Sequence, residues 1–253
     1  MLIANQMVSP VVVGHLDEYG AYDMLGDVLG TCFSISGGFY MTAGHVVREL
    51  QARTGDATPL IATPSEHNWI PAIIQESEVL GADIGILTCH MVSQRLPKLI
   101  WDIENLNVLA SVKSIGYAYG THLVDNEPMI VARAFKGEVV CTLPRFRPIG
   151  FEGPTFSVHE LSFQAPRGLS GAPLLGKEPS EVVKGVVIGN SQYEMLVSSE
   201  TETESNGNQV HSVERVERLT LGLAVRAVQV VSLTSKLLKG SVSDHLKKEG
   251  LLR

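Results

Sequence analysis

The chain has 253 residues, enough for one or two hydrophobic cores, and 44% of them are apolar, an ordinary globular share. Its formal net charge of −7 supplies no overall basic field for nucleic acid. Its longest apolar runs, such as Pro10-Val11-Val12-Val13-Gly14, are far too short to span a membrane as a helix.

The opening residues lack the basic start and apolar stretch of a signal peptide. The first Lys or Arg is Arg48, and Asn5, Gln6 and Ser9 interrupt the apolar positions. A chain that starts naturally at Met1 is therefore expected to be cytoplasmic. Cys32, Cys89 and Cys141 are odd in number, widely spaced and without a CxxC pair. They read as thiols on strands, not as a disulfide framework or a zinc site.

Short β-rich runs dominate the chain order, with little helical period. The first set is Val11–Val13, Val28–Ile35, Phe39–Ala43, Leu60–Ala62, Ile70–Ile74 and Ile84–Cys89. The second is Val108–Ile115, Met129–Phe135, Gly137–Cys141, Leu161–Gln164, Ala172–Leu175, Val182–Ile188 and Leu219–Val225. Gly, Pro, Asn and Asp separate most of them, which predicts an all-β sandwich or barrel.

The two strand sets are parted by a polar stretch with Pro97, giving segments 1–95, a linker 96–107, and 108–227. Residues 191–218 are poor in apolar side chains and Glu-rich over 194–204, and read as a surface loop before the last strand. Val228, Val231, Leu233, Leu237 and Leu238, followed by Gly240, predict a helix over Val228–Leu238 within a C-terminal segment 228–253.

Three segments carry candidate chemistry, in the order His, Asp, Ser. Thr42-Ala43-Gly44-His45 runs from a strand into a tight turn of small residues, which lets an imidazole face a cleft. Ala82-Asp83-Ile84-Gly85-Ile86-Leu87 sets a carboxylate at the start of an apolar strand, where it is costly unless paired. Gly168-Leu169-Ser170-Gly171-Ala172-Pro173 flanks a serine with glycines, which permit a strained turn and close approach of substrate to backbone. A serine hydroxyl is a weak nucleophile at neutral pH. It needs a base within hydrogen-bond reach, and the base needs an orienting carboxylate. His45 fits the base, Asp83 the orienting group and Ser170 the nucleophile. An α/β-hydrolase nucleophile elbow does not fit, because Ala172 stands where its second glycine belongs and the histidine precedes the serine.

On these three segments the chain resembles the chymotrypsin/trypsin-like serine peptidase family, and within it the bacterial Htr-type proteases, over about residues 10–235. The resemblance implies two six-stranded antiparallel β-barrels with a C-terminal helix, and a catalytic site between them. It implies catalytic roles for His45, Asp83 and Ser170, and an oxyanion hole at the N–H groups of Gly168 and Ser170. It also implies that Ile188, Gly189 and Asn190 pair with substrate backbone as an added strand. The base of the side-chain pocket would lie near Gln164, with Gly189 and Gly222 in its walls. No acidic residue is placed there, so cleavage after Lys or Arg is disfavoured. Arg167, close to the nucleophile, is a candidate substrate contact.

The sequence departs from the family in several places. Leu169 stands where trypsin-like zymogens carry an aspartate, so activation by a new N-terminus is not expected. The disulfide that often brackets the histidine is missing, since Val46 follows His45. Ala172 replaces a glycine, and an Htr-type C-terminal peptide-binding domain is not found in the sequence. The expected activity is that of a serine endopeptidase (a hydrolase) working through an acyl-enzyme, with no metal or organic cofactor. Its expected partners are a protein or peptide substrate and an activating or regulatory protein, with no nucleic acid and no membrane. The competing readings are a catalytically silent protease fold used as a binding module, and a serine esterase.

Overall fold

The computed structural model describes residues 7–16, 22–23, 27–53, 57–64, 69–90, 98–124, 127–148, 153–176, 182–203 and 209–253. In chain order the first part forms β1 (Ser9–Leu16), β2 (Tyr22–Asp23), β3 (Val28–Ser36), β4 (Phe39–Ala43), helix α1 (Gly44–Arg53), β5 (Thr58–Pro64), β6 (Trp69–Val79) and β7 (Ile84–Cys89). These strands pair in the order β1-β3-β4-β7-β6-β5, and β5 pairs back onto β1, closing a six-stranded barrel with β2 attached to β1. Every residue of β3 is buried, as expected for a strand covered on both faces.

The remainder forms β8 (Ile100–Trp101), β9 (Ser111–Gly116), β10 (Thr121–Val124), β11 (Glu127–Ile130), β12 (Arg133–Phe146), β13 (Phe156–Leu161), β14 (Pro173–Gly176), β15 (Val182–Thr203) and β16 (Gln209–Arg226). They are followed by α2 (Ala227–Val231), β17 (Thr234–Ser235), β18 (Gly240–Ser241) and α3 (Val242–Lys248). The second large sheet has the order β14-β9-β12-β13-β16-β15-β8, and β14 pairs with β15 as well as β9. The fold is thus mostly β, with one closed barrel and a second, mostly antiparallel sheet. β8, inside the segment read as a linker, pairs in parallel with the start of β15.

Three local readings need correction. Thr42–His45 leads into a ten-residue helix, whose Val46, Val47 and Leu50 are buried. The stretch 191–218 is a long hairpin of β15 against β16, paired from Gly185↔Arg226 to Thr203↔Gln209. Its polar composition denies it a core, but its backbone groups are satisfied across the ribbon. Residues 204–208 lie outside the described residues.

The third correction concerns the helix expected over Val228–Leu238, which stops at Val231. The Glu78 carboxylate accepts from Ser235 Oγ at 2.6 Å and from the N–H groups of Lys236 and Leu237 at 3.0 and 3.2 Å. It thereby takes donors that a continuing helix would use internally. The leucines of this stretch pack on the core from the residue before β17 and from the turn of the short β17–β18 hairpin instead.

The main apolar core runs from the barrel into the second part. A smaller cluster, with Leu161, Leu169, Ala172, Leu174 and Val187, fills the second sheet beside the serine segment. Cys32, Cys89 and Cys141 are free thiols on β3, β7 and β12. Burial raises the pKa of Cys32 and Cys89, so neither is a ready thiolate.

Candidate functional site

Asp83 ends the tight turn between β6 and β7. Ala82 and Asp83 both adopt left-handed backbone, with φ of 58° and 54°. Each such residue without glycine's freedom costs about 1–2 kcal/mol. The turn is held by Leu80 N–H to Ile84 O at 2.7 Å and by Gly44 N–H to Asp83 O at 2.7 Å. The second of these bonds ties it to the start of α1. The Asp83 side chain is buried and aims at the same helix.

Two side chains of α1 reach that carboxylate. His45 Nδ1 lies 2.7 Å from Oδ2, and Arg48 Nη2 donates to Oδ1 at 2.6 Å. With Nδ1–H donated to the carboxylate, Nε2 is the ring's acceptor. A neutral imidazole so held can take a proton from a hydroxyl and return it to a leaving group.

The serine segment is seated against the closed barrel by one residue of β3. Thr31 N–H donates to Ser170 O at 2.8 Å, and Thr31 Oγ1 donates to Gly168 O at 2.7 Å. The same hydroxyl accepts from Tyr117 N–H at 2.9 Å, and Thr31 O accepts from Thr42 Oγ1 at 2.8 Å. Thr42 lies just ahead of Gly44 and His45, so Thr31 joins the two segments through its backbone and side chain. Gly171, at φ +89°, is pressed on Thr31 O, Thr42 Oγ1 and Ala43 N, where no β-carbon fits.

The segment presents two backbone donors. Arg167 O accepts from Tyr119 N–H at 2.7 Å. In a trans peptide the N–H points opposite to the C=O, so Gly168 N–H is turned away from Tyr119. Arg133 steadies the Tyr119 loop, donating to Ala118 O at 2.7 Å with its guanidinium over the Tyr119 ring. Among the described residues, neither Gly168 N–H nor Ser170 N–H has an acceptor, and the Ser170 hydroxyl makes no hydrogen bond. Two free N–H groups beside a hydroxyl can stabilise an oxyanion that forms on an attacked carbonyl.

A cavity of about 970 Å³ opens beside the His45–Asp83 pair. Its walls are His45, Arg48 and Asp83 on one side, Leu143, Phe146, Arg147 and Pro148 from the end of β12 and just beyond on another, and Ile188 with Asn190 to Tyr193 on β15. The residues expected from the sequence divide around it. Ile188 and Asn190 line it, whereas Ser170, Gly168, Gln164, Arg167, Gly189 and Gly222 do not. Gln164 is exposed. Arg167 is also exposed, 3.5 Å from Glu49 of α1. Asn190 bonds back across the second sheet, with Oδ1 accepting from Ala165 N–H at 2.7 Å and Nδ2 donating to Ala165 O at 2.8 Å. Gly222 is its partner on β16 and donates to Phe163 O.

Sequence reasoning missed Arg48, Thr31, Phe146, Arg147 and Tyr193. For Arg48 a signal existed, since it lies three positions after His45, the spacing of neighbours on one helix face. That signal depends on seeing α1. Among the described residues no group of three His, Cys, Asp or Glu could hold a metal ion, and no helix is long and apolar enough to cross a membrane.

No family model matches the chain, and no curated protein matches it. Solved structures do. The active form of the Rv3671c protease from M. tuberculosis has a TM-score of 0.55 at 19% identity, over 90% of this chain and 78% of that one. The MamO protease domain from Magnetospirillum magneticum has a TM-score of 0.54 at 12% identity, over 88% of this chain and 93% of that one. The HtrA-type protease AlgW, solved with a tripeptide, has a TM-score of 0.51 at 13% identity, over 88% of this chain and 56% of that one. At such identities the likeness speaks for the fold and leaves activity to the site. The fold of this chain resembles that of the trypsin-like serine proteases, Htr-type enzymes among them.

Proposed function

We propose that the chain is a serine endopeptidase in which Ser170 attacks the scissile carbonyl, His45 carries the proton and Asp83 orients the imidazole. The observation that carries the reading is the 2.7 Å bond from His45 Nδ1 to a buried carboxylate, with the serine loop tied through Thr31 to the strand that leads into His45, and with no acceptor for the Gly168 and Ser170 N–H groups among the described residues. In the reaction Ser170 Oγ bonds to the carbonyl carbon as His45 Nε2 takes the hydroxyl proton. The oxyanion is held by the two N–H groups. The tetrahedral adduct then collapses, the C–N bond breaks, and His45 gives its proton to the departing amine, leaving an acyl-serine. Water attacks the ester by the same route in reverse.

We read the second sheet as the second barrel of the family pair, with the units 1–95 and 108–227 flanking the site and 228–253 as a C-terminal segment. Substrate would add as a strand along Ile188–Asn190, whose β14-side edge is open past Val187. Leu169, fully buried in the smaller cluster, anchors the serine loop by apolar packing, where activated trypsin-like enzymes use an ion pair between an aspartate and a new N-terminus. The Asn190 amide, spanning to Ala165, narrows the side-chain pocket and favours a small uncharged residue before the cleaved bond.

The test is labelling with a fluorophosphonate probe and mass spectrometry of the modified peptide. The expected result is one adduct at Ser170, lost in Ser170→Ala and in His45→Ala. Folded native protein that takes no label would sink the reading and leave the silent binding module in its place.

A further inference from the structure

We propose that Arg48 is a positioning residue, which fixes the Asp83 carboxylate so that His45 is held in its working orientation. The inference rests on the function proposed above. It does not follow from the three segments that carry the family resemblance, none of which contains Arg48.

α1 spans Gly44–Arg53, and positions three apart in a helix stand on one face. His45 and Arg48 therefore project together, and each takes a different oxygen of the same carboxylate, at 2.7 Å on Oδ2 and 2.6 Å on Oδ1. Among the described residues, Asp83 has no other donor to its side chain. Its exposure is 5% in the intact chain, so the second oxygen is held there by Arg48 and not by solvent. Without Arg48, the carboxylate is free to turn about Cβ–Cγ. That turn moves Oδ2 away from the imidazole plane or exchanges the two oxygens.

The backbone does not supply the missing constraint. Asp83 is in left-handed backbone, and its link to Gly44 runs through the main-chain carbonyl, not the carboxylate. A single helix thus carries both the base and the clamp on its orienter, so the pair moves as one body.

The guanidinium suits this task by shape. Its N–H groups lie in one rigid plane, whereas a lysine ammonium is a rotating point charge on a flexible stem. The Arg48 side chain is 47% exposed, so its charge is screened by solvent and its contribution is chiefly geometric. A carboxylate out of place by about 1 Å is enough to slow chemistry on the order of 100-fold, with binding left alone.

The experiment uses the full chain and saturating fluorophosphonate kinetics, which separate the maximal labelling rate at Ser170 from the half-saturating concentration. Arg48→Ala is expected to lower the maximal rate by roughly 10- to 100-fold with little change in half-saturation. Added guanidinium ion should restore part of the loss, and Arg48→Lys should fall between. A native maximal rate in Arg48→Ala would overturn the proposal. So would an effect confined to half-saturation, because Arg48 also lines the cavity and a substrate contact would act there.

A second readout needs no turnover. The Nδ1 proton of a carboxylate-bound imidazole gives a far-downfield NMR resonance, assigned by its loss in His45→Ala. It should broaden or vanish in Arg48→Ala and return with guanidinium. A resonance unchanged in Arg48→Ala, or absent from the native chain, would overturn the proposal whether or not Ser170 labels. Arg48→Gln, of similar length, replaces Arg48→Ala if the latter unfolds.

Discussion

Gly168→Ala tests the proposed oxyanion site through its backbone. Gly168 has φ +93°, and a β-carbon there would run into the Tyr117 carbonyl oxygen and come within 3.4 Å of Ala118 Cα. The obstacle is main chain on both counts, so it cannot swing away as a side-chain tip would. Holding alanine at that φ costs about 1–2 kcal/mol before any clash. The available relief is rotation of the Arg167–Gly168 peptide. That rotation breaks the 2.7 Å bond from Tyr119 N–H to Arg167 O, worth about 1 kcal/mol, and turns Gly168 N–H out of the site.

The expected result is a stability loss of roughly 2–3 kcal/mol, the sum of these two contributions. The maximal fluorophosphonate labelling rate should fall on the order of 100- to 1000-fold, the usual effect of losing one oxyanion donor. Urea denaturation gives the first quantity and labelling kinetics the second. A Gly168→Ala protein that labels within about 10-fold of the native rate would show that this N–H is no oxyanion donor.

Two further outcomes follow from other contacts. Asn190→Gly removes the amide that spans to Ala165 and opens space beside Gly222, so turnover of peptide esters with a large apolar residue before the cleaved bond should rise about 10-fold relative to alanine esters. An unchanged ratio would refute the narrowed pocket. His159 is 2% exposed, and burial, with Arg226 and Lys184 nearby, pushes its pKa down to about 4 from the ordinary 6.5. Because the unfolded chain then binds a proton that the native chain does not, this histidine makes stability fall as pH drops from about 6.5 to about 4, by roughly 3 kcal/mol in all. His159→Gln keeps a polar side chain toward Thr142 and should flatten that part of the denaturation profile. An equal slope in both proteins would assign the loss to other groups.

The parts of the fold that could be read from sequence are those whose pattern is local. Val28–Ile35 and Ile84–Cys89 are runs rich in β-branched and apolar residues, and they form β3 and β7 with bounds close to those read. The hairpin of β15 and β16 leaves little trace in the sequence because Met195, Leu196 and Leu219 on it are exposed, and its order comes from cross-strand bonds that leave no compositional mark. The end of the chain misled for the opposite reason. Val231, Leu233, Leu237 and Leu238 do pack inward, with Val228 exposed, but a carboxylate from β6 captures the turn that would have joined them in a helix.

The candidate site divides the same way. Candidate residues announce themselves by type and neighbours, as His45, Asp83 and Ser170 do, whereas the groups that hold them are set by contacts across the fold. Thr31 is one such group. It is fully buried, a plain residue in a β-strand, yet its N–H and hydroxyl seat Ser170 and Gly168, and its carbonyl receives Thr42 beside His45. Valine would keep its β-branching and its N–H, and would lose the hydroxyl that donates to Gly168 O and accepts from Tyr117 N–H. The spacing between the histidine and serine segments therefore belongs to the interior of the closed barrel. That interior holds the serine loop from one side, and Leu169, in the core of the second sheet, holds it from the other. A loop gripped from both sides needs no new N-terminal charge to order it.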